Sequence, residues 1–354
     1  MENLLYLLSA CLLIVGLKML GSPKTAVRGN ALGAIGMLIA AAVALLLGSE
    51  AGGPAGEISQ ANRLTAIGIG LVAGTLVGIV ASQKVQMTAM PQMVALFNGL
   101  GGAASALVAI IELFNNTEAG KEVLLTSSIP AALSILIGGI TLTGSAIAFA
   151  KLQGLISGRP LVYPLQKTLN LLLLLGAVAS CCWLAIEPQD PMPLYCLAGI
   201  AAILGVLSVL PIGGADMPVV ISLLNSYSGL AASAAGFVLG NPILIIAGSL
   251  VGASGLILTK IMCKAMNRSL ANVLFGAFGK APEGVAGAPA TASGGTVKSG
   301  SPDDAAMILD SAGLVIIVPG YGMAVAQAQH ATREMADLLQ KNNCEVKYAI
   351  HPVA

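Results

Sequence analysis

Residues 124–149 read LLTSSIPAALSILIGGITLTGSAIAF, without one charged side chain. That exceeds the roughly 20 apolar residues a helix needs to cross a bilayer core. Its glycines, alanines and serines permit the close backbone approach of membrane helices. Eight more apolar runs lie at 4–20, 30–48, 64–82, 91–114, 166–186, 194–211, 217–239 and 242–263. The chain is therefore expected to begin as a multi-pass α-helical membrane bundle of about nine transmembrane helices.

Composition agrees. Charged residues are 9% and hydrophobic ones 56% of the 354 residues, against about 25% and 45–50% in soluble domains. Mean hydropathy is +0.89. Seventeen basic and 16 acidic residues supply no basic field, and aromatics are only 4%, so nucleic-acid binding is excluded. Cys11, Cys181, Cys182, Cys196, Cys263 and Cys344 lack C-x-x-C spacing and read as small buried hydrophobes. The first run has Glu2 before it and runs into Lys18, Lys24 and Arg28, which marks a span and not a cleaved leader.

Basic residues gather at one set of alternating ends: Lys18, Lys24, Arg28, Lys84, Lys151, Arg159, Lys167, Lys260, Lys264 and Arg268. The other set holds Arg63 and Lys121, with Glu2, Glu50, Glu57, Glu112, Glu118, Glu122, Glu187 and Asp190. By the positive-inside rule the N-terminus is expected outside and the C-terminus in the cytoplasm. Lys151, Arg159, Lys167, Lys260, Lys264 and Arg268 read as headgroup anchors. Asp216 is the one acid on the basic side.

From Gly276 to Pro302 the sequence GAFGKAPEGVAGAPATASGGTVKSGSP has no periodicity and reads as a flexible linker. Beyond it charge returns, predicting a short helix over 303–310, a strand over 314–318, a helix over about 323–341 and a strand over 345–350. The expected division is a membrane domain over 1–265, a junction and linker over 266–304, and the start of a cytoplasmic α/β Rossmann-like domain over 305–354. One β-α-β unit cannot bury its own faces, so the sequence is expected to stop inside that domain.

Between the predicted strand and helix, VIIVPGYGMAVAQAQH (315–330) places Gly320 and Gly322, where glycines let a backbone approach a dinucleotide pyrophosphate. The third small position of G-x-G-x-x-G is Val325, so the string alone is weak. A tight turn of any α/β domain would look the same. The second strand ends at His351 and Pro352 without the carboxylate that usually holds the ribose of NAD, which points to NADP or to an unconventional pose.

Inside the bundle, Asn98 precedes Gly101, Gly102 and Ser105. It either makes an interhelical hydrogen bond or lines a wet seam. Asp216, before Met217 and Pro218, reads as a helix N-cap or as a functional acid. Ser222, Asn225, Gly229, Ala232 and Gly236 share a helical face, a small and polar stripe suited either to close packing or to a hydrated path, so Ser222 and Asn225 are candidates for a polar pathway. Both histidines, His330 and His351, lie in the tail. A proton route here lacks the side chain best matched to neutral pH.

Four strings, KVQMTAMPQMVALFN (84–98), GGADMPVVISLLNSYSG (213–229), IMCKAMNRSL (261–270) and VIIVPGYGMAVAQAQH (315–330), give a resemblance to the beta subunit of the proton-translocating NAD(P) transhydrogenases. The resemblance covers essentially the whole chain. It implies hydride transfer between NAD(H) and NADP(H) coupled to proton passage across a bacterial inner membrane. It also implies an alpha-subunit partner carrying NAD(H), a dimer of the whole complex, and NADP(H) on this subunit. By the resemblance, Gly320, Tyr321, Gly322, Met323, Ala324 and Val325 touch NADP in a reversed pose. Asn98, Asp216, Ser222 and Asn225 belong to the proton pathway and its coupling, and Arg268 to the junction that communicates occupancy.

Two departures stand out. Many members carry a histidine where this sequence has Asn98, so either the titrating group is expected from a partner chain or a bound water chain near Asn98 and Asn225 is expected to carry the proton. The family chain also continues past Ala354, so the sequence as written is expected to bind NADP poorly. Direct hydride transfer needs no metal, flavin or covalent nucleophile, and leaves the protein the task of positioning. The competing class is a secondary transporter or channel with a dinucleotide-sensing domain, but no ion-binding acid pair, filter or inverted repeat stands out.

Overall fold

The computed structural model describes residues 2–46, 60–86, 89–118, 125–266, 269–275, 301–320, 322–323 and 328–350. Contacts divide the chain into two units, Met1–Cys263 with Ser269–Phe278 and Lys264–Arg268 with Gly279–Ala354. Most of the linker read at 276–302 lies outside the described residues.

Each apolar run of the first unit is a helix: α1 (Glu2–Leu20), α2 (Pro23–Leu46), α3 (Gln60–Lys84), α4 (Met90–Glu118), α5 (Leu125–Leu152), α6 (Gln166–Ile186), α7 (Pro191–Val209), α8 (Met217–Val238) and α9 (Pro242–Ala265). A 3-10 turn, Gly214–Asp216, precedes α8, and a short α10 (Leu270–Phe275) follows α9. Among the described residues eight of these helices are long and apolar enough to cross a membrane. The ninth expected span, α1, has a shorter apolar stretch, Leu4–Leu20. Glu2 stands at its start, and Gly21-Ser22-Pro23 stops it, because Pro23 is the first residue of the next helix.

Helix α5 is central and packs on α4, α6, α7 and α8. Its core partners are Ala109 and Leu113 of α4, Ala177 and Leu184 of α6, and Leu194, Leu197 and Leu204 of α7. The α4–α5 approach depends on glycine: a Cβ on Gly102 would lie 2.8 Å from Gly138 O. Two helix starts follow their sequence signals. Asp190 accepts from the Met192 N–H at 2.9 Å, and Asn241 Oδ1 accepts from Ile243 and Leu244 at 3.1 and 3.2 Å. A proline follows each cap.

The cysteine expectation is corrected. Only Cys263 and Cys344 are buried, and Cys11, Cys182 and Cys196 are exposed. These three sit on α1, α6 and α7, on faces that the described residues do not cover.

The second unit contains α11 (Pro302–Asp310), β1 (Leu314–Ile317), α12 (Gln329–Lys341) and β2 (Glu345–Tyr348). The strands pair in parallel, from Leu314 opposite Glu345 to Ile317 opposite Tyr348. The sheet has just these two strands among the described residues. What stands of the Rossmann-like expectation is thus one parallel β-α-β unit. Its apolar strands stay largely uncovered: Leu314 is 48% and Ile316 56% exposed, while Ala336, Leu339 and Cys344 are buried. Helix α12 ends with Asn343 at φ 64°. There the Asn343 and Cys344 N–H groups donate to Gln340 and Leu339 carbonyls at 3.1 and 3.0 Å, closing the last turn.

Helix α11 opens with a capping box, Ser301 Oγ accepting from the Asp304 N–H at 3.2 Å and Asp304 Oδ2 from the Ser301 N–H at 2.8 Å. The Ser301 backbone and hydroxyl hydrogen bonds hold the Asp304 carboxyl below the usual aspartate range. A depressed carboxylate pKa contributes stability above the unfolded pKa that is lost as pH falls through the folded one. The first turn of α11 is therefore expected to fray only in acid. NMR titration of the Asp304 carboxyl should give a midpoint below that of an unstructured aspartate, and Ser301→Ala should raise it.

Candidate functional site

The polar residues of the bundle converge on α8, whose sequence alternates small hydroxyl residues with branched apolar ones. Ser222, Ser226, Gly229, Ser233 and Gly236 recur at helical spacing, and every one of them meets α9. Ser222 Oγ donates to Gly255 O at 3.3 Å, and Thr259 Oγ1 lies 3.1 Å from Ser222 Oγ. Ser226 Oγ donates to Gly252 O at 2.6 Å, and Ser233 Oγ lies 2.9 Å from Ser249 Oγ. The helices touch through backbone here, since a Cβ on Gly229 would lie 2.5 Å from Gly252 N and 2.8 Å from Gly248 O. Ser222, read from sequence as lining a pathway, thus has its hydroxyl in a buried seam.

Asn98 approaches α8 from α4. It is 7% exposed, and its Nδ2 donates to Ile221 O at 3.1 Å. Of the two readings open for Asn98, this geometry is the interhelical hydrogen bond. Asn225 lies one turn beyond Ile221. At 100° per residue its side chain points between the Ile221 direction, facing α4, and the Ser222 direction, facing α9. It is half-buried and its side chain makes no hydrogen bond with the described residues. Sequence placed Asn225 and Ser222 on one face; the fold leaves Asn225 in the gap and turns Ser222 into the seam.

Two buried hydroxyls of α5 join this layer without a sequence motif to announce them. Ser134 Oγ lies 3.0 Å from both Ser105 O of α4 and Ala231 O of α8. Ser145 is fully buried, and its Oγ has no hydrogen-bond partner among the described residues. It faces α4 beside Asn98, since a Cβ on Gly99 would lie 3.2 Å from the Ser145 Cβ.

Asp216 closes the 3-10 turn before α8 with φ −92° and ψ −3°, and its side chain makes no capping hydrogen bond. The N-cap reading is corrected: a cap residue needs an extended backbone to aim its oxygen at the first turn, and the helical conformation here prevents it. The headgroup-anchor reading of Lys151 is corrected as well. Lys151 is 5% exposed, and its ammonium donates to the Leu210 and Ile212 carbonyls at the end of α7. Arg268 lies outside the described residues, as do Tyr321, Ala324 and Val325.

In the second unit Gly320 and Gly322 follow β1. A Cβ built on either would meet nothing within 4 Å among the described residues. Met323 is held toward α12, its Sδ accepting from Thr332 Oγ1 at 3.4 Å.

The sequence profile described as "NAD(P) transhydrogenase beta subunit" matches residues 2–354. The chain belongs to that family. Two relatives called "NAD(P) transhydrogenase subunit beta", one from Rhodospirillum rubrum and one from a specified strain of it, are each 48% identical over 353 residues. The match covers 99% of this chain and 73% of each relative. Within this transhydrogenase beta-subunit chain, the bundle places Asn98, Ser222 and Asn225 in the first halves of α4 and α8, and Ser145 in the second half of α5. Asp216 stands apart from them, at the start of α8.

Proposed function

We propose that this chain is the membrane-embedded subunit of a transhydrogenase that couples hydride transfer between NAD(H) and NADP(H) to proton movement. The match to the transhydrogenase beta-subunit family over residues 2–354 carries this reading. The nicotinamides supply the hydride chemistry when bound, and the protein's work is to position them and to link their occupancy to the bundle. NADP(H) is assigned to the second unit, a Rossmann-like domain, and NAD(H) to an alpha-subunit partner. The whole complex works as a dimer in a bacterial inner membrane, with the N-terminus outside and the second unit in the cytoplasm. The domain division read from sequence, 1–265, 266–304 and 305–354, belongs to the same proposal.

Gly320 and Gly322 fit a nucleotide. Neither adopts a backbone conformation that only glycine allows, and no described residue crowds either of them, which agrees with an approach from outside. Tyr321, Met323, Ala324 and Val325 complete the assigned contact. In the bundle, Asn98 cannot titrate. Its role is to hold α4 to α8 and orient water or hydroxyls beside Ser222 and Asn225, while Asp216 is the acid that exchanges a proton at the cytoplasmic end. Arg268 is assigned to the junction with the second unit. Protonation in the bundle shifts the nucleotide domain between occluded and open states, and by linkage nucleotide occupancy shifts proton affinity equally.

The test uses the full-length subunit with its alpha partner in inverted vesicles, reading NADPH-driven reduction of an NAD analogue with and without a proton gradient. Gradient-dependent hydride transfer is expected, and solute flux without hydride transfer would overturn the proposal. In the same vesicles Asn98→Leu is expected to cut proton movement about fivefold at wild-type protein level. Undiminished pumping would remove Asn98 from the pathway.

A further inference from the structure

Leu210–Asp216 joins α7 to α8 and contains PIGGAD, two glycines with little power to hold a shape of their own. The segment is held from α5 and the loop that follows it. The Lys151 ammonium donates to Leu210 O and, at 2.7 Å, to Ile212 O. The Leu161 N–H also reaches Leu210 O, at 3.2 Å, and the Gly214 N–H donates to Gly158 O at 2.8 Å. Tyr163, in the same loop, donates to Asn170 Oδ1 at 3.0 Å.

Lys151 is 5% exposed and makes no ion pair with the described residues. An ammonium removed from water is costly unless its donors are used. Here two of its three donors are used on the Leu210 and Ile212 carbonyls just past the C-terminus of α7, whose dipole favours a cation. A methionine of similar length would fill the same space without that desolvation cost. What the charge adds over methionine is a fixed position for the segment that ends in Asp216.

We propose that Lys151 is a positioning residue: by clamping the Leu210 and Ile212 carbonyls from α5, it sets where the Gly214–Asp216 turn presents the Asp216 carboxylate. The clamp ties α5, which also bonds to α4 and α8 through Ser134, to the turn that carries the acid. This inference rests on the coupling role proposed above for Asp216.

The experiment measures protons moved per hydride transferred, at quantified levels of assembled protein, in vesicles carrying the full subunit and its alpha partner. Lys151→Met is expected to lower the ratio about fivefold, and Lys151→Arg, which keeps charge and donors, to retain more than half of it. An unchanged ratio in Lys151→Met overturns the clamp even if total activity falls with the amount of assembled protein. An equal collapse in Lys151→Arg also overturns it. Should the methionine variant fail to assemble, Lys151→Gln takes its place, a lowered ratio supporting the clamp and a wild-type ratio refuting it. Asp216→Asn is run in parallel. If it keeps the wild-type ratio, the Asp216 reading itself fails, whereas uncoupling by Asp216→Asn but not by Lys151→Met refutes the clamp alone.

Discussion

Valine in place of Gly229 is expected to abolish recovery of the assembled subunit, and alanine to lower its stability by about 1–3 kcal/mol. The reason is what the new Cβ would meet. Its neighbours at 2.5, 2.8 and 2.9 Å are Gly252 N, Gly248 O and Val251 C, all backbone atoms, so no side chain can turn aside and relieve the contact. The two helices would have to separate. Separation would also break the Ser226–Gly252 hydrogen bond and stretch the Ser222–Gly255 contact, groups that find no water to replace them in the bilayer core. The measurement is thermal unfolding of detergent-solubilised protein followed by retention of monodisperse material. Gly68→Ala on α3 is the control, since a Cβ there meets nothing within 4 Å. Equal stability of Gly229→Ala and Gly68→Ala would refute the tight seam.

Asparagine at position 216 is the second large change. Asp216→Asn keeps size and shape, and because the side chain makes no capping hydrogen bond to α8, the helix start should survive it. Loss of the ionisable group should be felt in function instead: proton movement is expected to fall at least tenfold while assembled protein stays at wild-type level. Vesicle acidification, read by a quenching dye beside hydride transfer, checks both at once. Unchanged acidification would end the proton role of Asp216, and lost assembly would restore a structural one.

How much of this was legible beforehand varies by element. Eight of the nine expected spans were readable because hydrocarbon imposes one simple demand, a long run with little charge, and the caps Asp190 and Asn241 announce themselves by the prolines that follow. The family strings at 84–98 and 213–229 were readable as strings. Lys151 was misread because positive-inside reasoning counts a lysine near a helix end as a headgroup contact, and nothing local reveals carbonyls about sixty residues away. Asp216 was open to a cap reading because the Asp-Met-Pro string fits one, whereas the 3-10 turn that it closes settles the backbone the other way.

Ser134 and Ser145 carried no signal, since a serine in a Gly/Ala-rich helix looks the same facing lipid or core. By itself the sequence determined that the chain is a membrane bundle with a charged tail and a glycine turn, because length, charge and period are properties of segments. Only tertiary structure decided that Asn98 bonds to Ile221, that Ser222 is spent in the α9 seam while Asn225 is left in the gap, and that Lys151 holds the turn before Asp216. Those facts depend on the rotation and depth at which helices pack, which in a bilayer are set by close backbone contact between small residues and not by hydrophobicity.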